Sequence, residues 1–336
     1  MRPMSGQNSS PNHETLLNRR SFLTMGAMAA GAALLPASAS ALNAPPVQDA
    51  PGDFDYVFLT DTHLQPELAA ADGCAMAFKK VSSLPADFVI QGGDHVFDAL
   101  AVGRERVDLL TTLYTKTEQA IGKQVHHTIG NHDVFGILPQ SGISSDAAGY
   151  GKKLFTELHG PTYYSFDHKG YHFVVLDTIQ PTDDHSWEAR IDDPQLAWLT
   201  SDLGKLAPGT PVVVSCHCPL VTAANEYAAP TAKSGSGVAT TSAIVHPQLS
   251  VANAYDVLPI LEKHNTLAVF QGHTHINEVV RFRGIPYVTS GAVCGNWWHG
   301  TRWGIPEGFT VVSLRKGKIE WRYETYGFKT IDPQNT

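Results

Sequence analysis

Five short apolar runs recur along the chain, and polar residues follow each of them. The runs cover residues 56–60, 88–91, 125–129, 211–215 and 267–270. Short apolar runs that end at polar turns are typical of buried strands. Helical patterns at residues 73–84 and 104–121 separate the first three runs. This alternation of strand and helix predicts an α/β fold with parallel strands.

Two-residue periodicity and tight turns predict antiparallel hairpins elsewhere. The predicted pairs are 163–167 with 171–176, 278–282 with 285–289, and 309–314 with 318–323. One further helix is predicted to begin at Asp193, which serves as N-cap before Pro194, and another covers residues 255–264. The stretch 223–253 is rich in Ala, Ser, Thr and Gly. That composition predicts a long surface loop or a lid over the site.

The first 41 residues differ from the rest and predict an export signal. A pair of arginines, Arg19 and Arg20, precedes an Ala- and Gly-rich apolar segment, and Ala39 and Ala41 offer cleavage sites. The apolar segment is too short for a stable membrane span. The arginine pair resembles the twin-arginine signal of bacteria, which implies the export machinery as a partner and a periplasmic or secreted location. The predicted organisation is a signal at 1–41, a linker at 42–52 and one domain at 53–330.

Composition narrows the class of protein. The 336 residues are 43% hydrophobic and 17% charged, with a formal net charge of −8, which is typical of a soluble globular protein. An acidic chain is a poor candidate for binding a nucleic-acid duplex. Four scattered cysteines are too few for a disulfide scaffold. We leave a Cys74–Cys294 disulfide open as an alternative to four free thiols.

Residue types that bind metals follow all five apolar runs. These residues are Asp61 and His63, Asp94, Asn131, His217, and His273 with His275. One histidine at a strand end is more often a hydrogen-bonded core residue than a ligand. Five such strand ends meeting at one edge of a sheet indicate a metal site, since chemistry in α/β folds gathers at the carboxyl ends of strands. Imidazole, carboxylate and amide donors suit Fe, Mn or Zn.

The order of these motifs resembles the calcineurin-like metallophosphoesterase family. The motifs are Asp61-x-His63, Gly93-Asp94, Gly130-Asn131-His132-Asp133, His217, and Gly272-His273-x-His275. The resemblance implies a four-layer α/β/β/α sandwich of two mixed sheets, with two divalent metal ions at the strand ends. It also implies the ligand sets, which are Asp61, His63 and His275 for one ion, Asn131, His217 and His273 for the other, and Asp94 as the bridge.

The same resemblance implies hydrolysis of a small phosphoester. The expected reaction is attack of a metal-bridging hydroxide on phosphorus, while His132 protonates the leaving group. We expect Asp133 to orient the imidazole of His132. The sequence as a whole resembles that of bacterial cyclic-nucleotide phosphodiesterases. The resemblance does not choose between a monoester and a diester substrate. The alternative is a non-catalytic metal-binding or interaction protein that keeps the fold, and the complete ligand set together with His132 favours the enzyme.

Several residues near the motifs are candidates for substrate contact. Phe97 stands where the purple acid phosphatases of the family carry a tyrosine ligand, so a charge-transfer Fe(III) site is not expected. His95 is predicted to contact substrate or, alternatively, to be structural. Trp297, Trp298 and His299 follow soon after the last ligands and are predicted to stack on a substrate group. The alternative for the tryptophans is a local core, because they bury large area.

Overall fold

Two mixed β-sheets pack face to face in the computed structural model, which describes residues 50–224 and 248–334. The predicted signal at 1–41 and most of the predicted loop at 223–253 lie outside the described residues. No helix within the described ranges is both long enough and apolar enough to cross a bilayer.

The first sheet has five strands. They are β1 (Phe54–Leu59), β2 (Ala86–Gln91), β3 (Gln124–His127), β12 (Gly308–Arg315) and β13 (Lys318–Thr325). Their order across the sheet is β13-β12-β1-β2-β3. Strands β1, β2 and β3 are parallel, and the C-terminal hairpin β12–β13 pairs antiparallel with β1. The predicted strand–helix–strand units and the last predicted hairpin therefore share one sheet.

The second sheet has six strands. They are β4 (Tyr164–His168), β5 (Tyr171–Leu176), β8 (Pro211–Cys216), β9 (Asn265–Gln271), β10 (Glu278–Phe282) and β11 (Ile285–Thr289). Strands β5, β8, β9 and β11 are parallel, and β4 and β10 close the two edges antiparallel. A separate small hairpin, β6 (Ile179–Thr182) with β7 (Ser186–Ala189), was not predicted.

Helices cover the outer face of each sheet. They are α1 (Ala70–Ser82), α2 (Arg104–Glu118), α3 (Lys153–His159), α4 (Asp193–Leu203) and α5 (Ala254–Glu262). One apolar cluster joins α1 and α2 to the outer face of β1 and β2. A second joins α4 and α5 to the outer face of β5 and β8. The predicted four-layer α/β/β/α sandwich is confirmed.

Aromatic side chains fill the space between the two sheets. On β1 the alternate residues Phe54, Tyr56 and Phe58 point to this interior, whereas Val57 and Leu59 point to the helices. Tyr56 stacks on Phe88 of β2 with ring centroids 5.2 Å apart. Strand β1 is covered by helices on one face and by the second sheet on the other. Its residues are therefore apolar on both faces, and apolar and polar residues do not alternate along it. This aromatic packing fixes the position of one sheet against the other, and the strand ends of both sheets lie at a common edge.

Predicted element boundaries differ from the observed ones by a few residues. The predicted N-cap Asp193 is wrong by one position, because the side chain of Asp192 accepts the hydrogen bond from the Gln195 backbone N–H at 2.9 Å. Helix α3 was not predicted, since its seven residues are too few to show a periodic pattern. All four cysteines are free and buried, so the alternative of a Cys74–Cys294 disulfide is wrong.

We expect the free energy of unfolding to fall as pH drops from about 6.5 to 4. His126 of β3 stacks on Phe166, with ring centroids 3.7 Å apart, and burial together with the charge of His168 lowers the pKa of His126 to about 4. The unfolded chain, with a histidine pKa of about 6.5, therefore takes up a proton first and is favoured as pH falls through this range. Thermal melts of the wild type and of His126→Asn measure the effect. A loss of stability between pH 6.5 and 4 that is equal in both proteins contradicts the assignment to His126.

Candidate metal centre

Seven polar side chains meet at the common edge of the two sheets. They are Asp61 and His63 after β1, Asp94 after β2, Asn131 after β3, His217 after β8, and His273 and His275 after β9. Six of the seven are buried, and His273 is partly exposed. The structure thus brings together all seven residues that the sequence singled out. The donors come from both sheets, so neither sheet alone forms the group.

The first set of donor atoms surrounds one point near β1. The Nε2 atoms of His63 and His275 lie 3.1 Å apart, and Asp61 Oδ1 lies 3.3 Å from His275 Nε2. Ligands that share one transition-metal ion at bond lengths of about 2.0–2.2 Å are separated by roughly 3 Å. These three residues are therefore placed to share an ion.

The second set lies on the other side of Asp94. His217 Nε2 is 3.2 Å from Asn131 Oδ1 and 3.1 Å from Asp94 Oδ2. The same Oδ2 atom is 3.4 Å from His63 Nε2 in the first set. A carboxylate oxygen between two donor sets occupies the position that a bridging ligand of a dinuclear centre requires. The ring of His273 completes this side, with its centroid 5.1 Å from that of His217.

Each imidazole of the group presents one ring nitrogen to a backbone carbonyl. The pairs are His63 Nδ1 with Phe97 O at 3.4 Å, His217 Nδ1 with Gly92 O at 2.9 Å, His275 Nδ1 with Gly295 O at 2.7 Å, and His273 Nε2 with Gln248 O at 2.8 Å. A nitrogen that donates to a carbonyl carries the proton, so the other nitrogen keeps its lone pair. Metal-binding histidines are oriented in this way. Both the residue types of this donor set and the tautomers of its histidines therefore fit two metal ions.

A family model supports the same conclusion from sequence. The model described as Calcineurin-like phosphoesterase matches residues 54–277, which is more than half of the chain. The chain belongs to this family. Calcineurin-like phosphoesterases depend on a dinuclear metal centre, and the His and Asp clusters of this chain can hold metal. The phosphoesterase assignment thus agrees with the geometry of the donor atoms.

Solved structures share the fold of this phosphoesterase. A dimetal phosphatase from Danio rerio has a TM-score of 0.53 at 17% identity, with 82% of this chain and 99% of that chain covered. GAP50 of Plasmodium, described as the anchor in the inner membrane complex, has a TM-score of 0.50 at 15% identity, with coverages of 84% and 89%. Purple acid phosphatase PPD1 from yellow lupin has a TM-score of 0.52 at 12% identity, with coverages of 81% and 52%. No curated protein matches the sequence significantly. Identities this low show the fold alone.

Buried charges of opposite sign balance one another at the phosphoesterase centre. Burial opposes a charge on His217, but Asp94 and Asp61 outweigh burial and raise the pKa of His217 to about 9. Burial also opposes the charge of Asp94, but His217 and His132 hold the pKa of Asp94 well below its usual range. Metal ions that bind these donors replace protons as the balancing charge, so binding releases protons.

Five of the seven residues have a left-handed backbone. Their φ values are 55° at Asp61, 38° at His63, 55° at Asp94, 72° at His273 and 59° at His275. A residue with a side chain in this region costs about 1–3 kcal/mol relative to an unstrained backbone, and such residues gather at functional sites. These residues lie in the turns that follow β1, β2 and β9, where the chain leaves the strand and the donor side chains of different loops meet.

His132 lies beside the metal-binding side chains without belonging to them. Its ring centroid is 4.8 Å from that of His63, and its backbone N–H donates to Asp94 Oδ1 at 2.8 Å. The buried Nδ1 atom of His132 has no hydrogen-bond partner among the described residues, and Asp98 Oδ1 lies 4.0 Å away. Asp98 was missed, because a single carboxylate four residues after Asp94 carries no sequence signal.

Asp133 does not have the predicted contact with His132. Its carboxylate accepts hydrogen bonds from the backbone N–H groups of Gly130, Asp94 and His95, at 2.8–2.9 Å. It also pairs with His95 Nδ1 at 2.8 Å. The predicted orienting role is corrected, because both oxygens of Asp133 are used in holding the loops that follow β2 and β3.

Two of the four residues predicted to contact substrate, His95 and Trp298, are buried, which contradicts that role for them. His95 is 2% exposed, and its ring lies between Asp133 and His127. Trp298 is fully buried, and its indole N–H donates to the carbonyls of Thr62 and His63. His299 is partly exposed and contacts the C-terminal segment at Asp332, and its predicted contact with substrate stays a prediction. Local partners hold the rings of His95 and Trp298 away from the surface.

Trp297 lies against the metal-binding side chains, and its predicted contact with substrate stays a prediction. Its ring centroid lies 4.0 Å from that of His63 and 5.1 Å from those of His132 and His275. The residue is partly exposed, unlike Trp298. One of the two adjacent tryptophans therefore belongs to the core and the other to the wall of the centre.

Glycines allow the loops of the centre to touch. A Cβ on Gly130 would overlap the backbone nitrogen and carboxylate of Asp94, although the φ of −104° at Gly130 suits any residue. Glycine is needed at this position because a side chain would have no room, not because of its backbone conformation. At Gly272 a Cβ would overlap Thr60 and Asp61. The spacing of the donor atoms thus depends on residues that bind nothing themselves.

Replacing Asp94 by alanine is expected to empty the centre of both metal ions. The bridge is removed, and the two imidazoles that face it are left without a shared anion. Elemental analysis of purified protein measures the loss, with the exposed Asp72→Ala as the control that keeps its metal. Two ions per chain in the Asp94→Ala protein would refute the bridging position.

Replacing Gly130 by alanine is expected to weaken metal binding and to destabilise the fold by about 1–3 kcal/mol, the usual range for overpacking. The matched control is Gly103→Ala, where a Cβ meets only Ser141 O at 3.9 Å. Denaturant unfolding and metal titration of both variants provide the measurement. Equal metal affinities would show that the close approach of the two loops does not set the donor spacing.

Proposed function

We propose that the chain is an exported, metal-dependent phosphoesterase that hydrolyses a small phosphomonoester or phosphodiester. The observation that carries this proposal is the placement of His132 beside two sets of metal donors that share Asp94 Oδ2. The seven residues, in the sets described above, would hold two divalent ions of Fe, Mn or Zn. The neutral amide of Asn131 leaves the loaded centre with a net positive charge, which suits an anionic ester.

Bound metal supplies Lewis acidity towards the phosphate oxygens and activates water as a nucleophile at neutral pH. The chain itself supplies the proton. The ring of His132 retains 21% exposure while its Nδ1 is buried, so Nε2 is the nitrogen that faces the substrate. As water forms the new bond to phosphorus, the bond to the leaving oxygen breaks and His132 Nε2 protonates that oxygen.

Asp98 and Trp297 support this step. The Asp98 carboxylate, 4.0 Å from His132 Nδ1, stabilises the protonated ring and keeps it turned towards the ester. Trp297 packs against His63 and His132 and limits the approach of water, and its exposed part offers a flat surface to an aromatic or sugar leaving group. A nucleotide-type diester, as in cyclic-nucleotide phosphodiesterases, is one substrate class that suits such a surface.

The proposal of export rests on the sequence of residues 1–41. Arg19 and Arg20 before a short apolar segment, with small residues after it, are typical of a twin-arginine signal. A periplasmic or secreted location and the export machinery as partner follow from it. The acidic net charge of −8 fits a small soluble substrate better than a nucleic-acid duplex.

The alternative is an interaction protein that keeps the fold without catalysis. The likeness to GAP50, described as an anchor, gives this alternative its support. Two observations favour the enzyme. All seven donors are present, with each imidazole paired to a carbonyl, and His132 lies beside them. A protein that only binds a partner has no need to keep five left-handed residues at a metal centre.

Replacing His132 by alanine is expected to leave the metal content unchanged and to lower kcat about 10²- to 10⁴-fold towards esters with poor leaving groups. Nitrophenyl phosphate and bis-nitrophenyl phosphate should be less affected, because nitrophenolate leaves without a proton. Rates with and without Mn²⁺, measured for both nitrophenyl esters and for an alkyl phosphate, provide the test. Unchanged turnover of the alkyl phosphate contradicts the acid role of His132, and no turnover of any ester by the wild type favours the interaction protein.

A further inference from the structure

A second group of histidines lies apart from the seven donors. It consists of His95 after β2, His127 at the end of β3 and His159 at the end of α3. One ring nitrogen of each lies within 4.8 Å of those of the other two. None of the three belongs to the dinuclear centre, and none has a part in the proposed hydrolysis. We call them the His95 cluster.

Asp133 determines which nitrogen of His95 is free. Its Oδ2 atom lies 2.8 Å from His95 Nδ1, so Nδ1 carries the proton and donates it to the carboxylate. The lone pair of Nε2 then points away from Asp133, to a position 3.0 Å from His127 Nδ1. Ligand nitrogens around a tetrahedral zinc ion, at bonds of about 2.0–2.1 Å, are roughly 3.3 Å apart. A carboxylate that holds the far nitrogen of a histidine is also the usual support of a zinc ligand.

His159 has a donor atom without a partner. Its ring stacks on His95, with centroids 4.8 Å apart, and lies tilted against His127 with centroids 4.2 Å apart, but no hydrogen bond to its side chain occurs within residues 50–224 and 248–334. Burial and the charge of His95 lower the pKa of His159 to about 3, so the ring is neutral at neutral pH. A neutral imidazole with a free lone pair is the form that binds metal.

A carboxylate stands next to the three rings. Glu118 Oε1 lies 3.8 Å from His127 Nδ1 and accepts a hydrogen bond from Tyr114 at 2.7 Å. The side chains of His127 and Glu118 are 13% and 18% exposed, so the cluster can be reached from solvent. Three imidazoles form a donor set that zinc accepts, with a fourth position left open. Packing of three neutral rings would explain the ring contacts and the hydrogen bond between His95 Nε2 and His127 Nδ1, but it leaves the lone pair of His159 without a partner.

We propose that His95, His127 and His159 bind one Zn²⁺ ion, in a site separate from the dinuclear centre. The ion joins α3 to the ends of β2 and β3. Because Asp133 holds both His95 and the backbone N–H of Asp94, an ion on His95 also stiffens the loop that carries the bridging carboxylate. The role of the site is structural, and the proposal holds whether or not the chain hydrolyses phosphoesters.

The test compares two adjacent histidines on β3. His127 lies in the cluster, whereas His126 points to the opposite face of the strand and stacks on Phe166. Metal-depleted wild type, His127→Asn, His159→Gln and His126→Asn are re-equilibrated with Zn²⁺, and bound zinc per chain is measured by elemental analysis. We expect His127→Asn and His159→Gln each to bind one Zn²⁺ fewer than the wild type, and His126→Asn to bind the same number. Equal zinc in all four proteins overturns the proposal.

A second measurement does not depend on the variants being folded. Crystals of the wild type grown with Zn²⁺ are examined by anomalous diffraction at the zinc absorption edge. A peak between the three rings of the His95 cluster, besides those at the dinuclear centre, supports the proposal. Peaks at the dinuclear centre with none between these rings overturn it.

Discussion

One buried carboxylate holds the centre of this protein together. Asp133 is 7% exposed, and its two oxygens accept hydrogen bonds from the backbone of Gly130, Asp94 and His95 and pair with the His95 ring. A buried carboxylate is costly unless donors surround it, and here three backbone N–H groups and an imidazole do so. The loop after β2 and the loop after β3 are thereby held against each other. The bridging position of Asp94 depends on that contact.

Around Asp94 the backbone is strained at several donor residues, and the loops from different strands lie unusually close to one another. Five donor residues have a left-handed backbone and lie in the turns that follow β1, β2 and β9. Glycines at 130 and 272 let the loops of different strands come closer than a Cβ would permit. The packed sandwich offsets the cost of both, because the aromatic layer between the sheets fixes the positions of the strand ends. Backbone carbonyls then hold the far nitrogens of the four imidazoles, so the donors are in the tautomer that metal requires.

Much of this arrangement could be predicted from residue patterns. The five apolar runs became strands with ends within two residues of the predicted ones, because strands covered on both faces have unbroken apolar sequence. The donor residues were recognised because they follow those strands directly. The errors fell on residues whose role depends on distant partners. Asp133 and His132 are adjacent in sequence, but Asp133 turns to the backbone of residues 94 and 95, and Asp98 takes the place beside His132. Trp297 and Trp298 look alike in sequence, and only packing against Thr62 and His63 separates the core residue from the exposed one.

The sequence alone determined the α/β sandwich, the strand ends that carry the metal donors and the family to which the chain belongs. These properties can be recognised from short segments of sequence, because apolar runs, turn glycines and motifs are each formed by neighbouring residues. The tertiary structure decided which oxygen lies between the two donor sets, which carbonyl holds each imidazole and which histidines gather around His95. Those relations join residues up to 212 positions apart, as in the contact of His63 with His275. They depend on how two sheets and their helices pack, and no pattern in consecutive residues records such distances.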